Sequence, residues 1–148
     1  MKEEVESALN KALEQLLRDD EEILIADVNE RSISHRLANY LNPMFPGWDV
    51  DCEYNRNHDD PKRLEIKRRK VSSDDTQATT VFPDIIIHRR GSDENYVVIE
   101  MKKTTSHEND EYDLQKLQAF KDQLGYRFAI FLKIKTDREV GIEKPQWV

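Results

Sequence analysis

Apolar residues recur at spacings of three and four near the start of the chain, which is the period of an amphipathic α-helix. The pattern predicts a helix over residues 2 to 18, with a buried stripe of Val5, Leu9, Ala12, Leu13, Leu16 and Leu17. A second helix should begin near Asn29 and end before the prolines of residues 42 to 47, with the stripe Ile33, Leu37, Tyr40 and Leu41. A third should be closed by Gly125 as its C-cap, with the stripe Leu114, Leu117, Phe120 and Leu124.

Strand patterns occupy much of the remaining sequence. Residues 48 to 54, WDVDCEY, alternate in the manner of a half-buried strand. Two apolar strands, near residues 80 to 89 and 95 to 102, should pair antiparallel across the turn RGSDEN. Residues 57 to 78 are predicted to be a long connection with a short strand around residues 64 to 71. A last strand, residues 126 to 135, follows a helical crossover, which favours a parallel partner.

This element order (α-α-β-β-β-α-β) predicts an α/β fold, a mixed sheet of about four strands with helices on both faces. The 148 residues suit one domain, residues 1 to 148, in which residues 1 to 22 contribute an additional N-terminal helix. The single cysteine, Cys52, excludes an intrachain disulfide and is consistent with a reducing compartment. No apolar run approaches the roughly 20 residues of a membrane span, so a cytoplasmic protein without a membrane partner is expected.

The net charge of −7 is unevenly distributed along the chain. Residues 1 to 60 carry −9, residues 61 to 90 carry +4 and residues 91 to 148 carry −2. A basic patch can bind phosphates, so nucleic-acid contacts are expected from Lys62, Arg63, Lys67, Arg68, Arg69, Lys70, Arg89 and Arg90. The alternative is a solvated loop or hairpin whose lysines keep the protein soluble.

Three ionisable residues interrupt the two apolar strands of the hairpin. Asp84 starts one strand, while Glu100 and Lys102 share a face near the end of the other. Antiparallel pairing should therefore make Asp84 and Glu100 neighbours. Their repulsion requires a cation or a shared proton as compensation, and a divalent cation is the simplest. Oxygen ligands without thiolate or imidazole suit Mg²⁺ or Mn²⁺. The ammonium group of Lys102 could stabilise charge on a phosphoryl group or orient the attacking water. Together the three residues predict metal-assisted phosphodiester hydrolysis.

Pro83-Asp84, the sixteen-residue step to Glu100 and the run Glu100-Met101-Lys102 resemble the motif of the PD-(D/E)XK nuclease superfamily. The resemblance implies a restriction-endonuclease-like core, which runs helix, three strands, helix, strand. It implies that Asp84 and Glu100 bind Mg²⁺ or Mn²⁺, that the Met101 carbonyl supplies another ligand and that Lys102 serves the attacking water. The implied activity is a Mg²⁺-dependent nuclease with DNA as the favoured substrate. Small nucleases of this fold also commonly pair as homodimers.

Nucleases of this superfamily often add an acidic residue from the helix before the first strand, and Glu30 is the candidate. It lies three and seven residues before Ile33 and Leu37, so it shares the buried stripe of its helix. The alternative is a capping-box variant of Asp27 and Glu30 at the helix start. A polar residue on the helix after the lysine is also common in the superfamily. Gln115 and Lys116 are the candidates, although an exposed helical face would carry the same residues.

Two alternatives to the nuclease stay open at this point. Glu100 and Lys102 could form a same-face ion pair at a strand end, with Asp84 as a turn residue after Pro83. A catalytically silent restriction-like module that binds nucleic acid or a protein partner would also retain these carboxylates. His88 and His107 are expected to be surface or loop residues rather than general bases.

Overall fold

The fold is α/β, with a mixed six-stranded sheet and helices on both of its faces. The computed structural model describes residues 2–54, 63–67, 76–80 and 82–148, with residues 63–67 and 76–80 described by their backbone. The helices are α1 (Lys2–Asp19), α2 (Glu21–Ile25), α3 (Glu30–Leu41) and α4 (Glu111–Leu124). The strands are β1 (Asp49–Cys52), β2 (Arg63–Lys67), β3 (Thr76–Thr80), β4 (Ile85–His88), β5 (Asn95–Lys103), β6 (Phe128–Lys135), β7 (Gly141–Ile142) and β8 (Gln146–Trp147).

The main sheet has the strand order β1-β4-β5-β6-β7, and β8 also pairs with β6. The β4–β5 hairpin is antiparallel, and β6 lies parallel to β5 after the α4 crossover; both relations confirm the sequence-based prediction. β1 pairs antiparallel with the other edge of β4. β2 and β3 form a separate two-stranded antiparallel sheet.

Each face of the main sheet is covered by its own apolar cluster. On one face, α1 and α3 pack their stripes against alternate residues of the central strands, among them Ile85, Ile87, Val97, Ile99, Ile130 and Leu132. On the other face, α4 packs against the intervening residues Ile86, Val98, Ala129 and Phe131. Because β4 and β5 are buried on both faces, their sequences are continuous apolar runs of isoleucine and valine.

Several predicted boundaries were wrong. The sheet has six strands rather than about four, because β7 and β8 are two residues each and carry no detectable periodicity. The short helix α2 follows α1 within the acidic run. β4 begins at Ile85 rather than near residue 80, because Thr76–Thr80 is a separate strand paired with β2. The predicted long connection therefore contains a hairpin.

Gly125 ends α4 as predicted, in the left-handed conformation with φ +70°. A side chain there would touch nothing within 4 Å, so the effect of a substitution is the backbone strain alone. Gly125→Ala should lower the free energy of unfolding by about 1 kcal/mol, measured by urea denaturation. Gly141→Ala is the matched control, since Gly141 has no positive φ and its added Cβ would make only an ordinary contact with Lys135. Equal effects of the two variants would contradict this account.

Candidate functional site

The last residues of β5 extend past the first residue of β4, and two carboxylates occupy the edge of β5 that β4 leaves open there. Asp84 Oδ2 accepts a hydrogen bond from the Met101 N–H at 2.7 Å. Glu30 Oε2 accepts one from the Lys103 N–H at 2.9 Å. The N–H and C=O of one strand residue point to the same side, so the Met101 carbonyl faces this edge as well. Three groups of the sequence-predicted site therefore converge here.

Glu100 is the buried member of the acidic group, with 2% of its surface exposed. The register pairs Ile85 with Ile99, which sets Asp84 opposite Glu100 one position further on. Burial raises the pKa of Glu100 well above its ordinary value, and the nearby Asp84 raises it further, whereas Lys116 lowers it. The two carboxylates are thus neighbours, as the antiparallel register predicted. Glu100 Oε1 forms an ion pair with Lys116 Nζ at 2.7 Å.

Glu30 is the first residue of α3, and it does not take part in a capping box. Asn29 caps the helix instead, since its side-chain oxygen accepts from the Ser32 N–H at 2.8 Å. Asp27 turns away from the helix start, and its Oδ1 accepts hydrogen bonds from the hydroxyls of Thr105 and Thr136. Glu30 is therefore free of the helix cap and directed towards β5. Burial raises its pKa, and Asp84 and Asp113 add to the rise, while the N–H of Lys103 opposes it.

A pocket of about 340 Å³ adjoins these carboxylates, lined by Asn29, Glu30, Arg31, Ser34, Cys52, Glu53 and Asp84. Burial raises the pKa of the Cys52 thiol to about 11, and the charge of Asp84 contributes. The thiol is therefore protonated at neutral pH and is a poor metal ligand and nucleophile there. Glu30, Glu53 and Asp84 supply the carboxylates of this pocket. Glu53 pairs with Arg31 at 3.1 Å, so Glu30 and Asp84 are the better placed of the three to bind a cation.

Lys102 lies on the same face of β5 as Glu100, but its ammonium contacts other residues. Its side chain is 5% exposed and its Nζ lies 2.6 Å from Asp113 Oδ2. Nζ also donates to the backbone carbonyls of Asn109 at 3.0 Å and Glu108 at 3.4 Å, and it lies 3.5 Å from Asp110. The ammonium therefore sits among acceptors at the N-terminal end of α4.

The two auxiliary candidates on α4 have different environments. Gln115 is exposed and belongs to the solvent face of the helix. Lys116 is directed inward, against Glu100 and towards the carbonyl of Phe82 at 3.3 Å. The sequence contains a signal for this position, because Asp113, Lys116, Leu117 and Phe120 are spaced as one helical stripe. Two charged residues on a buried stripe indicate charged partners on the sheet below them.

The predicted nucleic-acid contacts are described only in part. Lys62, Arg68, Arg69 and Lys70 lie outside the described residues, and Arg63 and Lys67 are described by backbone only. Arg89 lies over the Trp48 ring and donates to Glu94 and to the Gly47 carbonyl. Arg90 pairs with Asp51. These two arginines follow β4, whereas Asp84 precedes it, so the length of the strand, about 13 Å, separates them from the carboxylates.

The expectation for His88 was wrong. Its side chain is 2% exposed, and its Nε2 lies 2.7 Å from Asp51 Oδ2 beneath the ring of Tyr54. The charges of His88 and Arg90 oppose the effect of burial, so the pKa of Asp51 lies below its ordinary value. Because a strand buried on both faces has no solvent side, even its terminal histidine is enclosed. His107 is exposed, as expected.

The oxygen donors suit a hard cation. Glu100 is buried beside the carboxylate of Asp84, and a cation bound between the two would reduce their repulsion, as the Lys116 ammonium already does in part. Asp84, Glu100 and the Met101 carbonyl are ligand types that Mg²⁺ or Mn²⁺ takes together with several waters. Within the described ranges, no three His, Cys, Asp or Glu side chains are grouped closely enough to enclose a metal by themselves.

Asp84→Asn should stabilise the metal-free protein at neutral pH. The amide oxygen can still accept from the Met101 N–H, while the charge that repels Glu100 is lost. Because the folded pKa of Glu100 is raised, its stabilising contribution is present below the unfolded value near 4.5 and is lost as pH rises through the folded pKa. The substitution should therefore raise the free energy of unfolding at pH 7 by about 1 kcal/mol and Tm by about 2–4 °C.

The measurement is thermal unfolding in a chelating agent between pH 4 and pH 8. The difference between Asp84→Asn and the unchanged chain should grow as pH rises. A difference that stays constant over this range would contradict the coupling between Asp84 and Glu100.

Comparisons of the chain with protein-family models, with curated proteins and with solved structures gave no match. None of the helices in the described ranges combines the length and the apolar character that a bilayer-spanning segment requires.

Proposed function

We propose that this chain is a Mg²⁺-dependent nuclease that hydrolyses the phosphodiester bonds of nucleic acid, with DNA as the favoured substrate. The observation that carries the proposal is the buried Glu100 carboxylate, held beside Asp84 with the Lys116 ammonium 2.7 Å from its Oε1. Retaining two repelling carboxylates in this way destabilises the folded protein, which is typical of functional sites.

The order of elements also supports the proposal. α3, β1, β4, β5, α4 and β6 follow one another as helix, three strands, helix and strand, which is the order of a restriction-endonuclease-like core. The separate β2–β3 hairpin is inserted between the first two of those strands. Asp84 and Glu100 occupy the adjacent ends of the second and third strands, where the superfamily motif has its carboxylates.

In this proposal Asp84, Glu100 and the Met101 carbonyl would hold the metal, and Glu30, which accepts from the Lys103 N–H, would orient a water beside it. Bound Mg²⁺ would polarise the scissile phosphate and lower the pKa of a coordinated water. The chain itself supplies the fixed positions of the carboxylates, because both Asp84 and Glu30 are anchored to consecutive outward-facing N–H groups of β5. Homodimer formation stays a prediction.

A catalytically silent module that binds nucleic acid or a protein partner is the second candidate. The ion pair between Lys116 and Glu100 favours it, because an internal ammonium already compensates the buried carboxylate. In such a module the carboxylates would be part of the fold and would bind no metal.

The experiment that separates the two candidates combines cleavage with calorimetry. Matched double-stranded DNA, single-stranded DNA and RNA are incubated with the purified chain in Mg²⁺, in Mn²⁺ and in a chelating agent. A nuclease should cut DNA in Mg²⁺ or in Mn²⁺ but not in the chelating agent. Titration with Mg²⁺ should show binding that Asp84→Asn removes. Absence of both cleavage and Mg²⁺ binding would leave the silent module as the function.

A further inference from the structure

Two oppositely arranged ion pairs connect β5 to α4. On the strand, Glu100 and Lys102 are two residues apart on one face, and on the helix Asp113 and Lys116 are three apart on one stripe. Glu100 pairs with Lys116, and Lys102 pairs with Asp113. The helix thus supplies a lysine to the strand carboxylate and a carboxylate to the strand lysine.

The donors of Lys102 are fully used by this arrangement. An ammonium has three N–H groups, and Nζ of Lys102 has Asp113 at 2.6 Å, the Asn109 carbonyl at 3.0 Å and the Glu108 carbonyl at 3.4 Å. The side chain is almost wholly buried. To contact a phosphate or an attacking water, it would have to leave a carboxylate and two carbonyls inside the protein.

Lys116 differs from Lys102 in its partners, because it contacts the acidic pair. Its Nζ lies 2.7 Å from Glu100 Oε1, and its side chain is 14% exposed, compared with 5% for Lys102. It also donates to the carbonyl of Phe82, two residues before Asp84. Burial lowers the pKa of Lys116, but the charges of Glu100 and Asp84 outweigh it and raise that pKa above its ordinary value, so the ammonium stays charged.

We propose that Lys116, rather than Lys102, is the catalytic lysine of this site, and that its ammonium contacts the phosphate and the attacking water. This inference rests on the proposed nuclease function. The water oxygen forms a new bond to phosphorus, while the bond from phosphorus to the leaving oxygen breaks and its electron pair stays on that oxygen. The attacking water releases one proton to solvent, and the leaving oxygen takes one up from solvent. Lys116 stays protonated throughout and acts by its charge.

The same position gives Lys116 a second measurable effect, independent of catalysis. In the absence of metal its ammonium neutralises Glu100, so it competes with a cation for that carboxylate. Removing the charge of Lys116 should therefore strengthen Mg²⁺ binding while it weakens cleavage. A lysine that only stabilised the fold would not change Mg²⁺ binding and cleavage in opposite directions.

The test uses Lys116→Gln as the main variant and Lys116→Met as the second, in case one of them does not fold. Each should cut DNA about 100-fold more slowly and bind Mg²⁺ up to about ten-fold more tightly by calorimetry. Lys121→Met is the matched control, because Lys121 lies on the same helix and contacts the Val148 carbonyl. It should match the unchanged chain in both measurements, and circular dichroism should show every variant folded.

The results that overturn the proposal are distinct from failure of the proposed function. Cleavage kept in Lys116→Gln but lost in the double variant Lys102→Met/Asp113→Leu would overturn the assignment of the lysine and leave the nuclease standing. Mg²⁺ binding unchanged in both Lys116 variants would overturn the competition for Glu100. An unchanged chain that neither binds Mg²⁺ nor cuts would overturn the nuclease, and this inference with it.

Discussion

Asp84→Asn should reduce the proposed Mg²⁺-dependent DNA cleavage by more than about 100-fold, because it removes a charged oxygen ligand from the proposed metal position. The same variant is expected to be more stable than the unchanged chain, since the repulsion of Glu100 is relieved. Loss of activity together with gain of stability identifies a carboxylate retained for function and not for folding. The measurements are the initial rate of cleavage of a labelled duplex and thermal unfolding of the same preparation.

Asp93→Asn is the control for this prediction, because it makes the same change of charge on an exposed residue at the opposite end of the β4–β5 hairpin. Its cleavage rate should equal that of the unchanged chain. If Asp84→Asn cut DNA at an undiminished rate, the carboxylate would not be a ligand and the proposed site would be wrong.

Asp113→Ala should lower the free energy of unfolding by about 3 kcal/mol, measured by chemical denaturation. The substitution removes the nearest partner of the buried Lys102 ammonium. Among the described residues, Asp110 at 3.5 Å, two backbone carbonyls and the ring of Phe131 remain around it. The cost arises because a buried charge that has lost its counter-charge is poorly solvated.

The double variant Lys102→Met/Asp113→Leu should recover most of that loss, because apolar side chains of similar size replace both charges. Asp122→Ala, at an exposed position of the same helix, should change the free energy of unfolding by less than about 0.5 kcal/mol. An Asp113→Ala variant as stable as Asp122→Ala would mean that the contact with Asp113 contributes little and that the remaining acceptors are sufficient for Lys102.

The elements of the fold were largely predictable from local patterns. The helical stripes of α1, α3 and α4 and the glycine that ends α4 all lie where the spacing of apolar residues and the backbone freedom of Gly125 place them. The two-residue strands β7 and β8 escaped prediction because they owe their conformation to pairing with β6. The start of β4 was misplaced because Thr76–Thr80 carries a strand pattern but pairs in a different sheet.

The site was predictable to the extent that it follows from strand register. Hairpin pairing sets the residue before β4 beside the end of β5, so the proximity of Asp84 and Glu100 required no tertiary information. Glu30 was found through its place on a helical stripe, but its bond to the Lys103 N–H depends on how α3 packs against the sheet edge. The role of Asn29 as the helix cap, in place of Asp27, was likewise visible only in the folded chain.

By itself, the sequence determined which faces of the strands and helices are buried, because side-chain direction follows the periods of 2 and 3.6 residues. It thereby put Glu100 and Lys102 on one face of β5, but it left Gln115 and Lys116 as equal candidates on the following helix. Only the tertiary structure decided which lysine meets which carboxylate, because the pairing depends on the position of α4 along β5. The packing joins Lys116 to Glu100 and Lys102 to Asp113. A periodic pattern specifies a face but not the partner across from it, and here the partner determines which lysine lies beside the acidic pair.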